Sequence, residues 1–290
     1  KIFKFSQGEI DNQKPDPEKL RDQIKQFNKL EKCELRGNQL DKSFLNGLNL
    51  PSLIDLDLSE NRIVDINSVG SGNLTDLKRL SLRQNPIKRT GQPSILQALD
   101  GSPNLEFLDL SEPVNIDQST ADVLLNKNES NTIDLPNLKY LNLKKTKFRR
   151  IQKLQEFPSL EKLNLSGNDL NDDDFLAGGG DPNALKGLIK LRLLDISDNP
   201  ISDVTPIVKL AESKLNQVPG LDLGPDVLAA PTTVDPDLIV IASNTQLSSS
   251  QIQRLTELGV TVISDVEEFN LHLTKGLNMI SFPLQPDREI

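Results

Sequence analysis

Side chains able to do covalent or metal chemistry are few in this sequence, and they are scattered. His272 is the only histidine and Cys33 the only cysteine. A Ser/His/Asp or Cys/His nucleophilic site would therefore have to be assembled around single residues far apart in the chain. No Cys/His spacing suits zinc. Ala177-Gly178-Gly179-Gly180 has the glycines of a phosphate loop, but neither its Lys-Ser/Thr nor its strand–helix setting, and it reads as a turn-forming insert. Asp169, Asp172, Asp173 and Asp174 form an acidic cluster. Calcium needs roughly six to eight converging oxygens and a recognisable loop spacing, so a solvated loop is the simpler reading and calcium the alternative. Asn73-Leu74-Thr75, Asn128-Glu129-Ser130 and Asn164-Leu165-Ser166 match the glycosylation pattern, which recurs by chance. The residues point to no enzyme, no cofactor and no resident metal.

What remains is recognition by surface. A net charge of −9 and a pI near 4.8 disfavour nucleic acid and anionic membranes, which attract cationic faces. No run of 18 apolar residues exists, so no membrane insertion is expected. Neither an initiating Met nor a signal-peptide core stands at Lys1, so the chain reads as a mature form or a fragment. A single cysteine excludes an internal disulfide framework, and Cys33 reads as a small buried hydrophobe.

The elements that would present such a surface are written in a repeating frame. Leu160 to Leu170 carries apolar residues at steps 1, 4, 6 and 11 and Asn168 at step 9. The frame recurs from Leu30, Leu53, Leu77, Leu105, Leu138 and Leu191, and more weakly from Val218. Apolar residues at steps 4 and 6 with polar neighbours are the period-2 signature of a short strand burying one face. Step-9 asparagines (Asn38, Asn61, Asn85, Asn168, Asn199) suit a turn out of the strand, because the amide can satisfy backbone groups that the ladder leaves unpaired. Asn168→Ala is expected to cost about 1–3 kcal/mol on that ground. Pro113 occupies step 9 of the fourth unit and supplies no donor, so a bulge is expected there.

Eight copies in register resemble the leucine-rich-repeat family, whose motif is L-x-x-L-x-L-x-x-N-x-L. The resemblance implies an α/β solenoid: a curved array with a parallel β-sheet on its concave face and short helical, 3₁₀ or loop returns on its convex side. It also implies a protein-binding module. Asn199-Pro200-Ile201-Ser202-Asp203-Val204-Thr205-Pro206-Ile207 is similar to internalin-like bacterial repeats, which implies a 3₁₀ return in that unit and a bacterial, secreted or cell-surface, extracellular setting. Phe148, Ile151, Leu154 and Phe157 recur every three residues, as a 3₁₀ return would.

Outside the repeats, Lys1–Phe5 alternates like a strand, and Pro15-Asp16-Pro17-Glu18 opens a helix with Leu20, Ile24 and Phe27 on one face. Leu238–Ile241 reads as a fully buried strand. Ser248 then caps a helix through Leu258, and Val260–Ile263 follows as another strand. The expected division is a cap at 1–29, repeats at 30–236, a β-helix-β cap at 237–265 and the start of a following β-rich segment at 266–290.

Steps 3, 5 and 7 point out of the strand face. Their six cations and six acids between Lys32 and Asp222 sum to zero, which suits a protein partner of mixed charge. Phe107, Tyr140 and Leu193 share step 3. Arg83, Asp109, Asn142, Lys144 and Lys162 surround them, with Asp57 and Asp195 further along the face. These ten residues are the candidate partner-binding set, an apolar centre with a charged rim. The aromatics are either exposed interface anchors, or Phe107 folds under the fourth unit's insertion as core. A lateral alternative is self-assembly through the inserts at 126–131 and 177–182. The frame further predicts that Leu165→Lys destroys the fold, while the outward Ser166→Lys costs under about 0.5 kcal/mol.

Overall fold

A computed structural model describes residues 2–4, 16–64, 74–88, 99, 102–116, 121, 135–176, 181–217 and 237–264. Among the described residues, ten short strands form one parallel sheet in strict sequence order. They are β1 Ile2–Lys4, β2 Lys32–Glu34, β3 Asp55–Asp57, β4 Arg79–Ser81, β5 Phe107–Asp109, β6 Tyr140–Asn142, β7 Lys162–Asn164, β8 Leu193–Asp195, β9 Ile239–Ile241 and β10 Thr261–Ile263. Strands β2 to β8 are steps 3 to 5 of their units, and step 4 pairs with step 4 throughout: Cys33 with Leu56, Leu56 with Leu80, and on to Leu163 with Leu194. The step-4 and step-6 side chains from Cys33 and Leu35 to Leu194 and Ile196 are buried in one continuous core. The array is the curved solenoid, with the sheet on its concave face, that the resemblance to leucine-rich repeats implied.

The step-9 asparagines tie successive units together. Asn61 Oδ1 accepts from the N–H groups of Asn38 and Leu40 in the preceding unit, at 3.0 and 2.9 Å. Its Nδ2 donates to the carbonyls of Leu35, Leu58 and Ser59. Asn85, Asn168 and Asn199 donate in the same way to their own and the preceding unit. The fourth unit is bulged as Pro113 foretold: Ile116 is buried one residue past step 11, and Asn115, at step 11, has φ 57°.

Step 8 carries a regularity with no apolar signature. Gly37, Glu60, Gln84, Glu112, Lys145, Gly167 and Asp198 all have φ between 53° and 74°. That left-handed turn aims each step-8 N–H at the step-7 carbonyl of the next unit, as from Glu60 to Arg83 and from Lys145 to Ser166. Glycine is the natural residue for it, and the others bear a cost of about 1 kcal/mol.

Three expectations are corrected. The unit read from Val218 lies outside the described residues, and the strand paired to β8 is Ile239–Ile241. That strand is not fully buried: only Val240 faces the core, because here too the sheet buries one face alone. The seventh unit returns through an α-helix, Thr205–Leu215, and not a 3₁₀ turn. Pro206 fits its first turn, no glycine or proline follows, and Ile207, Leu210 and Ala211 supply an apolar stripe at helical spacing. The fifth unit does return through a 3₁₀ segment, Ile151–Glu156.

At the ends, β1 pairs with β2, and the helix Pro17–Ile24, capped by Asp16, buries Leu20 and Ile24. Arg21 Nη1 fastens that helix by donating to the carbonyls of Ser43 and Asn46, both at 2.9 Å. Phe27 is exposed, lying past the helix with its ring 6.0 Å from that of Phe3. The helix Ser249–Glu257 carries a capping box of Ser248 and Gln251 between β9 and β10.

Candidate functional site

Parallel register turns step 3 into a column along the outward face: Arg79, Phe107, Tyr140, Lys162 and Leu193 stand on successive strands. The rings of Phe107 and Tyr140 stack with centroids 4.3 Å apart and planes 1° from parallel. The Arg79 guanidinium covers the other face of Phe107 at 4.0 Å from its centroid, an arrangement favoured by the ring quadrupole. Tyr140 is 7% exposed and Leu193 2%, so neither is the open side chain the sequence suggested. Neither belongs to the main hydrophobic core, which lies on the opposite side of the sheet. Phe107 stays half-exposed on the outward face and is not folded into that core. Burial, and the nearby Asp109 carboxylate, push the Tyr140 hydroxyl pKa upward, so it stays protonated.

The charged rim is paired along the sheet. One row runs Lys4–Glu34–Lys32–Asp55–Arg79, with contacts of 2.6, 2.9, 3.1 and 3.7 Å. A second runs Arg36–Glu60–Arg83–Glu112–Lys144, with contacts of 2.7, 3.9, 2.8 and 3.7 Å. Burial opposes the charge of Glu112, yet Arg83 and Lys144 hold its carboxyl below the usual range. Arg79, Glu60 and Glu112 were not in the candidate set. Arg79 was legible from its shared step with Phe107, whereas the two glutamates sit at step 8, whose backbone geometry gives no pattern.

Step 5 has a local task. Ser59 N–H donates to Asp57 Oδ1, Ser111 to Asp109, Lys144 to Asn142, Ser166 to Asn164 and Ser197 to Asp195, at 2.8 to 3.1 Å. Each acid or amide thus closes a turn at the end of its own strand. Of the candidate set, Asp57, Asp109, Asn142 and Asp195 are held this way, and Asp-x-Ser spacing was the available signal for the three acids. Lys162 stands half-buried between Tyr140 and Leu193.

Burial raises the pKa of Asp109 and of Asp195. An acid whose folded pKa exceeds its unfolded one destabilises progressively as pH rises from the unfolded value to the folded one. Asp109→Asn keeps the turn acceptor, as Asn142 and Asn164 do, and removes the buried charge. It is expected to raise the urea midpoint at pH 7, with the gain vanishing below about pH 4. A loss at pH 7 would show that the charge is needed where it stands.

Asp172 occupies its carboxylate with the next unit: Oδ1 accepts from Ser202 N–H at 2.7 Å and Asp203 N–H at 2.8 Å, and Oδ2 from the Ser202 hydroxyl. Asp174 closes a capping box with Asn171. Two of the four acids of the cluster, Asp172 and Asp174, thus have structural tasks. His272, residues 126–131 and 177–180 lie outside the described residues, and among those described no helix is long and apolar enough to cross a membrane.

Known proteins agree with this geometry. A family model described as "Leucine Rich repeat" matches residues 158–174 and 187–204. Tsukushi of Gallus gallus is 31% identical over 182 residues, covering 57% of this chain and 47% of that protein. The chain thus spans about half the length of that relative. Internalin C2 from Listeria monocytogenes superposes with a TM-score of 0.51 at 23% identity, covering 80% of this chain and 79% of its own. The structure of the mouse RP105/MD-1 complex gives 0.51 at 18% identity, covering 81% and 34%. These likenesses establish the leucine-rich-repeat fold.

Proposed function

We propose that this chain is the protein-binding module of a bacterial secreted or cell-surface protein, an adhesion-type domain that takes its partner on the concave face. The supporting observation is the column Arg79–Phe107–Tyr140–Lys162–Leu193. An aromatic pair stacked at 4.3 Å on the sheet's outer surface, apart from the core, has its rings immobilised before any partner arrives. A pre-ordered surface loses little side-chain entropy on binding, and aromatics flanked by Arg are favoured interface anchors. Internalin C2 supports the bacterial setting, and RP105, solved in complex with MD-1, supports the use of such an array in binding. The paired rim of Arg83, Glu112 and Lys144 would steer approach more than hold the partner.

The test is capture of a partner from the native source, followed by titration of wild type against Phe107→Ala and Arg79→Ala. Phe107→Ala should weaken binding by about 2 kcal/mol; Lys144→Ala should alter mainly the association rate and its salt dependence. Tyr140→Ala is a poorer probe, because a side chain this buried also takes stability with it. Binding that survives Phe107→Ala/Arg79→Ala, but is lost when 126–131 and 177–182 are trimmed, would replace this reading with a structural subunit packing through its lateral insertions.

A further inference from the structure

The acidic chain contains one concentrated cationic run that, beyond Lys144 at the concave rim, the concave face does not use. Between 144 and 153 the sequence places Lys144, Lys145, Lys147, Arg149, Arg150 and Lys153 with no acid among them. The fold displays this run as a single patch where the fifth unit leaves the sheet and turns into its return. Thr146 and Phe148 point inward and are buried, Lys145 and Lys147 between them are exposed, and Arg149 and Arg150 are half-exposed. Lys145 and Lys147 both sit at positive φ, 55° and 58°, a costly conformation for lysine that presents both stems outward. The Lys145 stem lies across Gly167 of the next unit, where a Cβ would meet Lys145 Cγ at 3.0 Å.

Three ion pairs at the patch are long: Lys144 to Glu112 at 3.7 Å, Arg149 to Asp174 at 3.5 Å and Lys153 to Glu156 at 3.3 Å. Partly exposed pairs of this kind contribute little and exchange readily for a better carboxylate. Interactions between exposed charges are screened beyond about 8 Å at physiological salt, so a ligand at the patch feels the local cations more than the chain's net −9. The length of that ligand is limited, because Glu112 stands on one side and Asp172, Asp173 and Asp174 on the other. A long uniform polyanion would be carried onto these acids, whereas a short acidic stretch within a polypeptide would not. Guanidinium groups also pair bidentately with carboxylates.

We infer that the lateral surface of the fifth repeat, centred on Lys145, Lys147 and Arg149, is a docking site for a short acidic segment of a protein partner, separate from the concave-face column. The test uses the full chain and a fluorescent aspartate-rich peptide, read by anisotropy at two salt concentrations. Wild type should bind with salt-sensitive affinity. Lys145→Glu/Lys147→Glu should weaken binding by about tenfold or more with an unchanged thermal melt. Lys19→Glu/Lys29→Glu, an equal charge change on the N-terminal helix and the loop after it, should bind like wild type, and so should Phe107→Ala, which keeps this site distinguishable from the concave one. Absence of peptide binding, or an equal loss in the Lys19→Glu/Lys29→Glu control, would overturn the proposal. So would a sulfated oligosaccharide of matched charge binding more tightly than the peptide.

Discussion

Replacing Asn168 by alanine is expected to remove about 3–5 kcal/mol of folding free energy, more than its place in the frame alone suggests. Its amide is fully buried. Oδ1 accepts from Thr146 N–H and Phe148 N–H, both at 3.0 Å, and Nδ2 donates to the carbonyls of Leu143, Leu165 and Ser166. Alanine would leave Phe148 N–H without its partner and out of reach of water, at about 1–3 kcal/mol, and would strip one of two or more bonds from Thr146 N–H and from the carbonyls of Leu143, Leu165 and Ser166. Urea unfolding followed by circular dichroism measures the loss, and a change below about 1 kcal/mol would mean that the ladder relaxes around the gap. The reverse substitution, Thr146→Asn, restores the repeat's usual residue but brings no gain. An asparagine there would look back to step 9 of the fourth unit, which is Pro113 and has no N–H to offer. Thr146 already donates its hydroxyl to Leu143 O at 2.7 Å and its N–H to Asn168 Oδ1 at 3.0 Å. The two departures from the frame match each other.

Leu165→Lys should leave no cooperative native state at neutral pH. Leu165 is fully buried in the core, between Leu143 and Ile196 at the same step of the units on either side. A removed partner or inserted charge in such a place costs several kcal/mol, a large share of the roughly 5–15 kcal/mol available to a folded protein. Ser166→Lys, one residue on, should fold, at a cost of about 1 kcal/mol. The cost exceeds what an outward step suggests, because Ser166 is itself buried and its hydroxyl donates to Asn164 Oδ1 at 2.7 Å. Long cations are accommodated at the same step in Arg36, Arg83 and Lys144, which shows that the position admits them. Loss of the near-ultraviolet signal in one variant and its retention in the other checks the register directly, and equal tolerance of both would contradict it.

Periodicity by itself determined which residues enter the core and how the strands align. Steps 4 and 6 are close in sequence, and a two-residue alternation is enough to assign them; every unit from Leu30 to Leu191 was placed on that basis. The charged and aromatic character of the outward steps was equally legible. Only the tertiary structure decided what those outward residues do. Phe107 and Tyr140 were neighbours on paper, but their stacking, the Arg79 cover and the near-complete burial of Tyr140 and Leu193 arise when strands separated by loops of unequal length come side by side. Step 8 turns left-handed in lysine and glutamate as well as in glycine, because the interlocked hydrogen bonds of adjacent units outweigh the local cost. The strand after β8 lay at Ile239–Ile241 and not in the unit read from Val218, since its Ala242 and Thr245 depart from the frame while the pairing to β8 still holds. The cationic run at 144–153 was diluted in the net charge, and it became a surface only where the fifth unit folds Thr146 and Phe148 inward and leaves the lysines between them exposed.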